Sequence, residues 1–348
     1  MPNFAGPHHS SGPADAVNPP SPGETPIARS RQLQLAAAAI VVLQTGVLLA
    51  GGHAAAGTTP AEVHTLASGG LRIEIETAAD RHAAEFGPRF DRSAVVSSVT
   101  VDGVELLGPW GLSDEFGLYG DGVLGYETAD IGESFVKIGV GRLLRDTAEN
   151  YHFGHPYPVD ALFPVQVTVG DNGLSVSQRS ERAGARQYHY RKSYQLLGED
   201  GLLIRYELTN TGDTPWTFEH YNHHWFRVEG TAVGPGYRVV TGFELPDAET
   251  GFRRAPFALE MPAPLAADAA VYYASELAEA PPNANSFEMQ VDGRPVVAYQ
   301  ASFRPARFAL YASADGFCPE VFMRAALAPG ATVTWSATYR FMRRPEGG

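Results

Sequence analysis

The segment Thr332-Val333-Thr334-Trp335-Ser336-Ala337-Thr338-Tyr339-Arg340-Phe341 carries an apolar side chain at every second position and a polar one between. Successive side chains of a β-strand point to opposite faces, so this period of two predicts a strand with one buried face and one wetter face. A helix would need apolar residues at a period of 3.6 instead. The segment therefore predicts a strand that covers a core on one side.

The same alternation recurs from about Leu66 onward. Leu71–Glu76 alternates cleanly, and residues 99–106 form two short apolar runs around Asp102-Gly103, a dipeptide typical of hairpin turns. This many closely spaced strands require two packed sheets. The sequence therefore predicts an all-β, antiparallel two-sheet sandwich formed by one domain over residues 66–343. Residues 256–282, rich in Ala and Pro, are expected to form a loop with one short helix over 275–282.

The N-terminal part has the organisation of an export signal. Residues 1–34 are rich in Pro, Gly, Ser and His and are predicted to be a disordered leader. An apolar run from Leu35 to Ala50 follows two arginines and precedes three alanines, which predicts a signal segment over 35–56 with cleavage near Ala56. Residues 57–65 would be a linker, and the mature protein would be periplasmic or extracellular. The alternative is a membrane anchor over residues 35–52, although about 16 apolar residues are fewer than a bilayer span of roughly 20 needs.

Charge and cysteine content exclude several classes of function. A net charge of −13 at pH 7 disfavours binding to nucleic acids and to anionic lipids. The single cysteine, Cys318, excludes an internal disulfide and a metal site made of cysteines. No common motif of nucleotide-binding proteins, serine hydrolases or zinc proteases is present. Any chemistry must therefore come from clusters of titratable and aromatic residues.

The densest cluster is Phe218–Phe226, with three histidines, one glutamate and several aromatic residues. In a strand, alternation directs one set to one face and the other set to the opposite face: Tyr221, His223 and Trp225 against His220, Asn222, His224 and Phe226. Two alternatives to a catalytic site stay open. Buried histidines are normally hydrogen-bonded structural residues, and His220 with His224 on one face could bind a metal.

Two weaker clusters lie elsewhere in the chain. Tyr151 and His152 belong to a polar segment, 150–157, that is more typical of a surface loop. Glu320 is set among apolar neighbours, where desolvation would raise its pKa into the range suited to a general base near neutral pH. The alternative for Glu320 is a strand-end carboxylate that faces water.

The order of these motifs resembles the aldose 1-epimerase (galactose mutarotase) family. The turn Thr209–Asp213 precedes the strand with Asn222 and His223, Gly87–Asp91 matches the opening strands, and Glu320 precedes the closing strand. The resemblance covers about residues 66–341 and implies the galactose mutarotase-like supersandwich fold, with no cofactor and no metal. The segment Cys318-Pro319-Glu320-Val321 departs from the family's usual sequence around its base.

The resemblance also implies a site. Glu320 would remove the proton from the anomeric hydroxyl of a sugar, and His223 would protonate the ring oxygen. The residues expected to contact the sugar are Arg142, Tyr151, His152, Asn222, Tyr221, Trp225 and Arg89. We expect Glu320 and His223 to face one cleft and to flank a pyranose ring.

The expected function is mutarotation of a free sugar, with a mono- or oligosaccharide as the ligand. Two alternatives stay open: a carbohydrate-binding module without catalysis, and a polysaccharide lyase or glycoside-processing enzyme on the same scaffold. Fold alone does not separate them, because function depends on the site.

Overall fold

The computed structural model describes residues 61–79, 87–180, 186–278, 280–281 and 283–342. The predicted leader and signal segment lie outside the described residues. Within these ranges, no helix has the length and apolar character that a membrane span requires.

The described residues form antiparallel strands and one short 3₁₀ turn, Tyr126–Thr128. In chain order the strands are β1 (Glu62–Ser68), β2 (Leu71–Thr77), β3 (Ala94–Val101), β4 (Val104–Glu105), β5 (Leu107–Phe116), β6 (Val123–Leu124), β7 (Ser134–Lys137), β8 (Gly141–Leu144), β9 (Val159–Leu162), β10 (Val165–Gly170), β11 (Gly173–Arg179), β12 (Tyr188–Leu197), β13 (Gly201–Asn210), β14 (Trp216–Phe226), β15 (Arg238–Thr241), β16 (Arg253–Ala255), β17 (Ala258–Glu260), β18 (Ala270–Glu276), β19 (Ser286–Val291), β20 (Arg294–Ala301), β21 (Arg307–Ser313), β22 (Gly316–Leu327) and β23 (Thr332–Phe341).

The strands pair into two large sheets and one small one. The nine-stranded sheet has the order β1-β2-β3-β5-β14-β22-β21-β18, with β4 paired to β3. The ten-stranded sheet has the order β10-β11-β12-β13-β23-β20-β19-β15-β17-β16. The all-β, antiparallel sandwich predicted from the sequence is confirmed. The small four-stranded sheet, β6-β7-β8-β9, was not expected.

Two sequence boundaries differ from the structure. Strand β1 begins at Glu62, inside the segment 57–65 assigned to a linker, and its side chains are mostly exposed, so it carries little apolar periodicity. The segment 256–282 contains strands β17 and β18 rather than a loop, and Ser275 and Glu276 end β18 instead of opening a helix. Strand β18 contains the strong strand formers Val271, Tyr272 and Tyr273 within this Ala- and Pro-rich segment, and it pairs with β21.

The core lies between the two large sheets. On β13 and β23 the alternate apolar residues point inward, and Tyr206 stacks on Trp335 at 5.0 Å between ring centroids. Phe116 of the nine-stranded sheet meets the same Trp335 ring at 6.4 Å. Burial of these large rings removes apolar surface from water and supplies the main driving force for packing the sheets.

A buried ion cluster also joins the two sheets. The ammonium group of Lys192 on β12 donates hydrogen bonds to Asp91 at 2.8 Å, to Asp114 of β5 at 2.7 Å and to the carbonyl of Ala94 at 2.6 Å. The side chains of Lys192 and Asp91 are fully buried. Burial alone would raise the pKa of Asp114, but Lys192 and His220 outweigh it and lower this pKa to about 2. The lysine and the two carboxylates therefore compensate each other's charge, which allows all three groups to be buried.

We predict that Lys192→Met destabilises the fold by about 3–5 kcal/mol, because it leaves two carboxylates buried without their cation. Denaturant unfolding at neutral pH measures the loss. Arg191→Met, on the exposed face of the same strand, is the control and should change stability by less than about 0.5 kcal/mol. Equal effects of the two substitutions would contradict a structural role for the cluster.

Candidate active site

Strand β14 places the candidate site residues on one face of the nine-stranded sheet. Tyr221, His223 and Trp225 lie on its outer face, next to Glu115 of β5 and Phe322 of β22. The intervening residues face the ten-stranded sheet, where His224 bonds the Tyr339 hydroxyl at 2.9 Å. The division of the strand into two faces is the one that the alternation predicts.

His220 and His224 are engaged in hydrogen bonds within the core. His220 Nε2 lies 3.0 Å from Asp114, and the two ring nitrogens of His224 contact the carbonyl of Pro319 and the hydroxyl of Tyr339. Burial lowers the pKa of His224 to about 4 despite the raising effect of the Pro319 contact, so its ring is neutral at pH 7. These hydrogen bonds give both histidines a structural role, and they disfavour the alternative in which His220 and His224 bind one metal ion.

Glu320 and His223 meet across adjacent strands. The pairs Tyr221–Phe322 and Phe226–Phe317 set the register of β14 and β22, which brings Glu320 opposite His223. The carboxylate Oε1 lies 3.5 Å from the imidazole Nε2, and the residues are 5 % and 3 % exposed. The sequence predicted that a sugar ring would fit between Glu320 and His223. The structure places the two groups close together instead, because they are directly opposite each other on adjacent strands.

The surroundings of Glu320 shift its proton affinity. Burial raises the pKa of Glu320 to about 8; Arg89, the Cys318 thiol and Arg307 oppose the rise, and the Glu115 carboxylate adds to it. Cys318 Sγ donates to Glu320 Oε1 at 3.5 Å, and burial together with this carboxylate raises the pKa of the thiol well above its ordinary value. A carboxyl group with a pKa near 8 can both release and accept a proton near neutral pH.

Aromatic rings form a continuous stack beside this pair. Trp110 stacks on His223 at 5.2 Å and on Trp225 at 4.8 Å, and Trp225 stacks on Tyr311 at 5.7 Å. Phe90 contacts the His223 ring edge-on at 5.1 Å. The stack fixes the plane of the imidazole, and its rings are almost completely buried.

Two glycines make room for Trp225. A Cβ on Gly108 would lie 2.5 Å from Trp225 Cδ1, and one on Gly316 would lie 2.4 Å from Trp225 Cε2. Real Cβ atoms do not approach other atoms so closely, so the Trp225 ring packs directly on the backbone at both positions. The position of the aromatic stack therefore depends on the absence of side chains there.

Arg89 closes another side of the site. Its guanidinium donates to Glu115 at 2.8 Å and to the Tyr221 hydroxyl at 3.0 Å, and it lies 4.5 Å from the centres of the Phe90 and Phe153 rings. Glu115 therefore joins Arg89 and Tyr221 into one hydrogen-bonded group, and the Arg89 charge opposes the rise in the pKa of Glu320.

The small sheet reaches the same group through a buried lysine. Lys137 of β7 donates to the Tyr151 hydroxyl at 2.7 Å and lies 3.5 Å from Glu115. Burial lowers the pKa of Lys137 to about 8, although Glu115 opposes the shift. His152 is largely exposed and stacks on Phe153 at 4.8 Å, and partial desolvation of its ring together with the Arg89 charge lowers its pKa. Tyr151 and His152 thus lie at the periphery of the site.

Two of the residues predicted to bind sugar lie elsewhere. Asn222 faces the core and donates to Asp114 and to the Tyr206 hydroxyl, because it alternates with Tyr221 and His223 along β14. Arg142 lies on β8 of the small sheet, where it pairs with Asp160 in a separate surface groove of about 870 Å³. The structure brings together Glu320, His223, Tyr221, Trp225 and Arg89.

Sequence reasoning missed four residues of the site. Trp110 and Glu115 lie on β5, a strand whose burial shows little alternation, and Tyr311 and Arg307 lie on β21. Only the strand order β5-β14-β22-β21 places them beside the predicted pair. That order is a long-range property, and no local pattern in these segments signals it.

His223, Cys318 and Glu320 also form the grouping in the described residues that could hold a metal ion. Their donor atoms lie within 4.8 Å of one another, and all three residues are buried. Imidazole, thiolate and carboxylate together are a donor set suited to zinc. The same three residues could also transfer protons without a metal. The metal content of the purified protein distinguishes these two roles.

Comparison with solved structures identifies the fold. The chain superposes on an aldose epimerase homologue from C. elegans with a TM-score of 0.52 and 12% identity, covering 81% of this chain and 99% of that one. A galactose mutarotase related enzyme from Lactobacillus acidophilus gives a TM-score of 0.51 and 14% identity, covering 82% of this chain and 99% of that one. No family model and no curated protein sequence matches the chain.

These likenesses define the class of architecture. The chain has the galactose mutarotase-like fold, as its motifs implied. At this level of identity the likeness describes the scaffold, and the identity of the reaction depends on the residues of the site.

We predict that Gly316→Ala destabilises the protein by about 1–3 kcal/mol through overpacking against Trp225. Chemical denaturation measures the loss, and tryptophan fluorescence reports the displaced ring. Gly170→Ala is the control, because its Cβ would lie 3.6 Å from the nearest atom. An unchanged spectrum and stability in Gly316→Ala would show that the ring is not held there.

We predict that the Glu320 carboxyl titrates with a midpoint of about 8, as its burial requires. Carbon-13 NMR of labelled glutamate, assigned by comparison with Glu320→Gln, measures the midpoint. Because the folded-state pKa exceeds the unfolded value, the stability gained from this group is complete below pH about 4. It is lost as pH rises through about 8, so the wild type should lose stability relative to Glu320→Gln over this interval. A midpoint near 4 would contradict the prediction.

Proposed function

We propose that the protein is a carbohydrate-active isomerase of the aldose 1-epimerase type that interconverts the anomers of a free sugar. One observation carries the proposal: a buried carboxyl and an imidazole lie 3.5 Å apart beside a stack of aromatic rings. The galactose mutarotase-like fold supports it, because solved structures of this fold include an aldose epimerase homologue and a galactose mutarotase related enzyme.

The close spacing of the two groups suits the chemistry. In anomerisation the hydroxyl O1 loses a proton, the bond between C1 and the ring oxygen O5 breaks, and O5 gains a proton. Because O1 and O5 are both bonded to C1, the base and the acid must reach neighbouring atoms. Glu320 takes the proton from O1, the C1–O1 bond becomes a carbonyl, and His223 delivers a proton to O5.

Ring closure reverses these transfers. After rotation about the C1–C2 bond, the O5 hydroxyl returns its proton to His223 and attacks C1 from the other side of the carbonyl. The carbonyl oxygen then takes the proton held by Glu320. No net proton, electron or co-reactant is consumed, so the reaction needs only a general acid and a general base of suitable pKa.

The surrounding residues would orient the sugar. The stacked rings of Trp225 and Tyr311 border the acid–base pair, and the buried Trp225 Nε1 has no hydrogen-bond partner in the described part of the chain. Unsatisfied buried donors are uncommon in proteins, so a sugar hydroxyl that reached this group would supply the missing partner. Arg89 is held in place by hydrogen bonds to Glu115 and Tyr221, and its positive charge favours the ionised form of Glu320.

We predict that Glu320→Gln lowers the rate constant for anomer exchange by about 10²–10⁴-fold while sugar binding is retained, because the amide cannot accept the O1 proton. Proton NMR of freshly dissolved α-anomers of galactose, glucose and galacturonic acid measures exchange. Titration with methyl glycosides measures binding. Glu276→Gln, an exposed substitution on β18, is the control and should keep the wild-type rate.

Other outcomes would favour other functions. Sugar binding by the wild type without faster exchange would overturn the epimerase proposal in favour of a binding module. Release of an unsaturated uronate from a polysaccharide would favour a lyase. Stoichiometric zinc in the purified protein, with exchange lost on chelation, would replace the cofactor-free mechanism by one that uses the His223, Cys318 and Glu320 grouping.

A further inference from the structure

A second arginine lies on the same sheet face as Glu320. Arg307 of β21 is 7 % exposed, and its Nη2 donates to the Tyr119 hydroxyl at 3.0 Å and to the Tyr272 hydroxyl at 3.1 Å. The guanidinium lies 4.7 Å from the centre of the Tyr119 ring and 5.1 Å from that of Phe322. Aromatic rings and two phenols therefore enclose it.

Arg307 lacks a carboxylate partner among the described residues. No carboxylate oxygen of these residues lies within 4.0 Å of its nitrogens. Glu276, the cross-strand neighbour of Arg307 on β18, and Glu219 of β14 both pair with Arg324, at 2.6 and 2.9 Å, and Glu219 acts on Arg307 only over a longer distance. Buried charges in proteins are normally paired, so the enclosure of Arg307 is suited to a counter-ion that the described chain does not supply.

Its position relative to the proposed acid and base is set by strand register. Arg307 pairs with Phe322, and the next residue on that face, Ala309, pairs with Glu320. Diagonal neighbours of this kind lie about 7–8 Å apart at the backbone, within reach of long side chains. Arg307 also acts electrostatically on Glu320. The distance between the two positions is comparable with the width of one sugar ring.

We propose that Arg307, together with the hydroxyls of Tyr119 and Tyr272, binds an anionic substituent, a carboxylate or a phosphate, of the sugar whose anomeric carbon lies at Glu320 and His223. The inference rests on the proposed function and adds the substrate class to it. A guanidinium presents several donors in one plane, which match two oxygens of a carboxylate or phosphate. The net negative charge of the whole chain does not oppose this, because the site is enclosed and its local charge decides.

Locked glycosides test the proposal without involving catalysis. We compare methyl α-galactoside, its 6-carboxylate (methyl α-galacturonoside) and its 6-phosphate by isothermal titration calorimetry. The wild type should bind one of the two anions at least about tenfold more tightly than the neutral glycoside, the scale expected of a charge-assisted pair. Preference for the carboxylate or for the phosphate identifies the substituent.

Variants assign the preference to Arg307. Arg307→Gln should abolish the preference, so that the anionic and the neutral glycosides bind with equal affinity. Arg324→Gln is the matched control, since it removes the same charge from the next strand but from an arginine already paired, and it should keep the preference. If Arg307→Gln fails to fold, as judged by circular dichroism, Tyr119→Phe replaces it, because Tyr119 is 48 % exposed. Loss of the Tyr119 hydroxyl should weaken binding of the anionic glycoside alone.

The outcomes separate the two proposals. Equal affinity for neutral and anionic glycosides, or equal loss of preference in Arg307→Gln and Arg324→Gln, would overturn the anion site. Faster anomer exchange on neutral galactose in the same preparation would leave the epimerase proposal standing. Tight binding of an anionic glycoside without exchange of any free sugar would support the anion site and overturn the epimerase.

Discussion

Strand β14 is buried on both faces, and the rest of the molecule depends on which side chain faces which side. One face supplies His220, Asn222 and His224 to the core, and the other supplies Tyr221, His223 and Trp225 to the site. A shift of one residue in pairing would exchange the two sets, because side chains alternate along a strand. The pairings with β5 and β22 on either side fix the register. Core and site are therefore specified by the same hydrogen-bond ladder.

Two buried carboxyl groups show how the sandwich sets proton affinity. Asp114 faces the core, where Lys192 compensates its charge and its pKa is about 2. Glu320 faces the other side of the same sheet, where its neighbours compensate burial only in part and its pKa is about 8. The difference arises from the partner within contact distance rather than from burial, which both residues share. One carboxyl group thus stabilises the structure, and the other is suited to exchange a proton.

Local sequence pattern predicted the strands and the two faces of β14, because alternation is a short-range property. It also singled out Glu320, His223, Tyr221, Trp225 and Arg89, which the structure brings together. It placed Arg142 and Asn222 in the site, but Arg142 belongs to a separate small sheet and Asn222 alternates into the core. It passed over Trp110, Glu115, Tyr311 and Arg307, because their proximity arises from strand order, which local alternation does not encode.

The small sheet of strands β6 to β9 has a core of its own, built from Val123, Tyr126, Phe135, Val140, Leu143 and Tyr157. It contacts the site through Lys137 and Tyr151, and Leu124 of β6 and Val136 of β7 join the main core. Because Tyr151 packs on Tyr126, Phe135 and Tyr157 of this separate core, substitutions there can shift a residue that borders the site. Sequence divergence within the small sheet can therefore alter the border of the site from a distance.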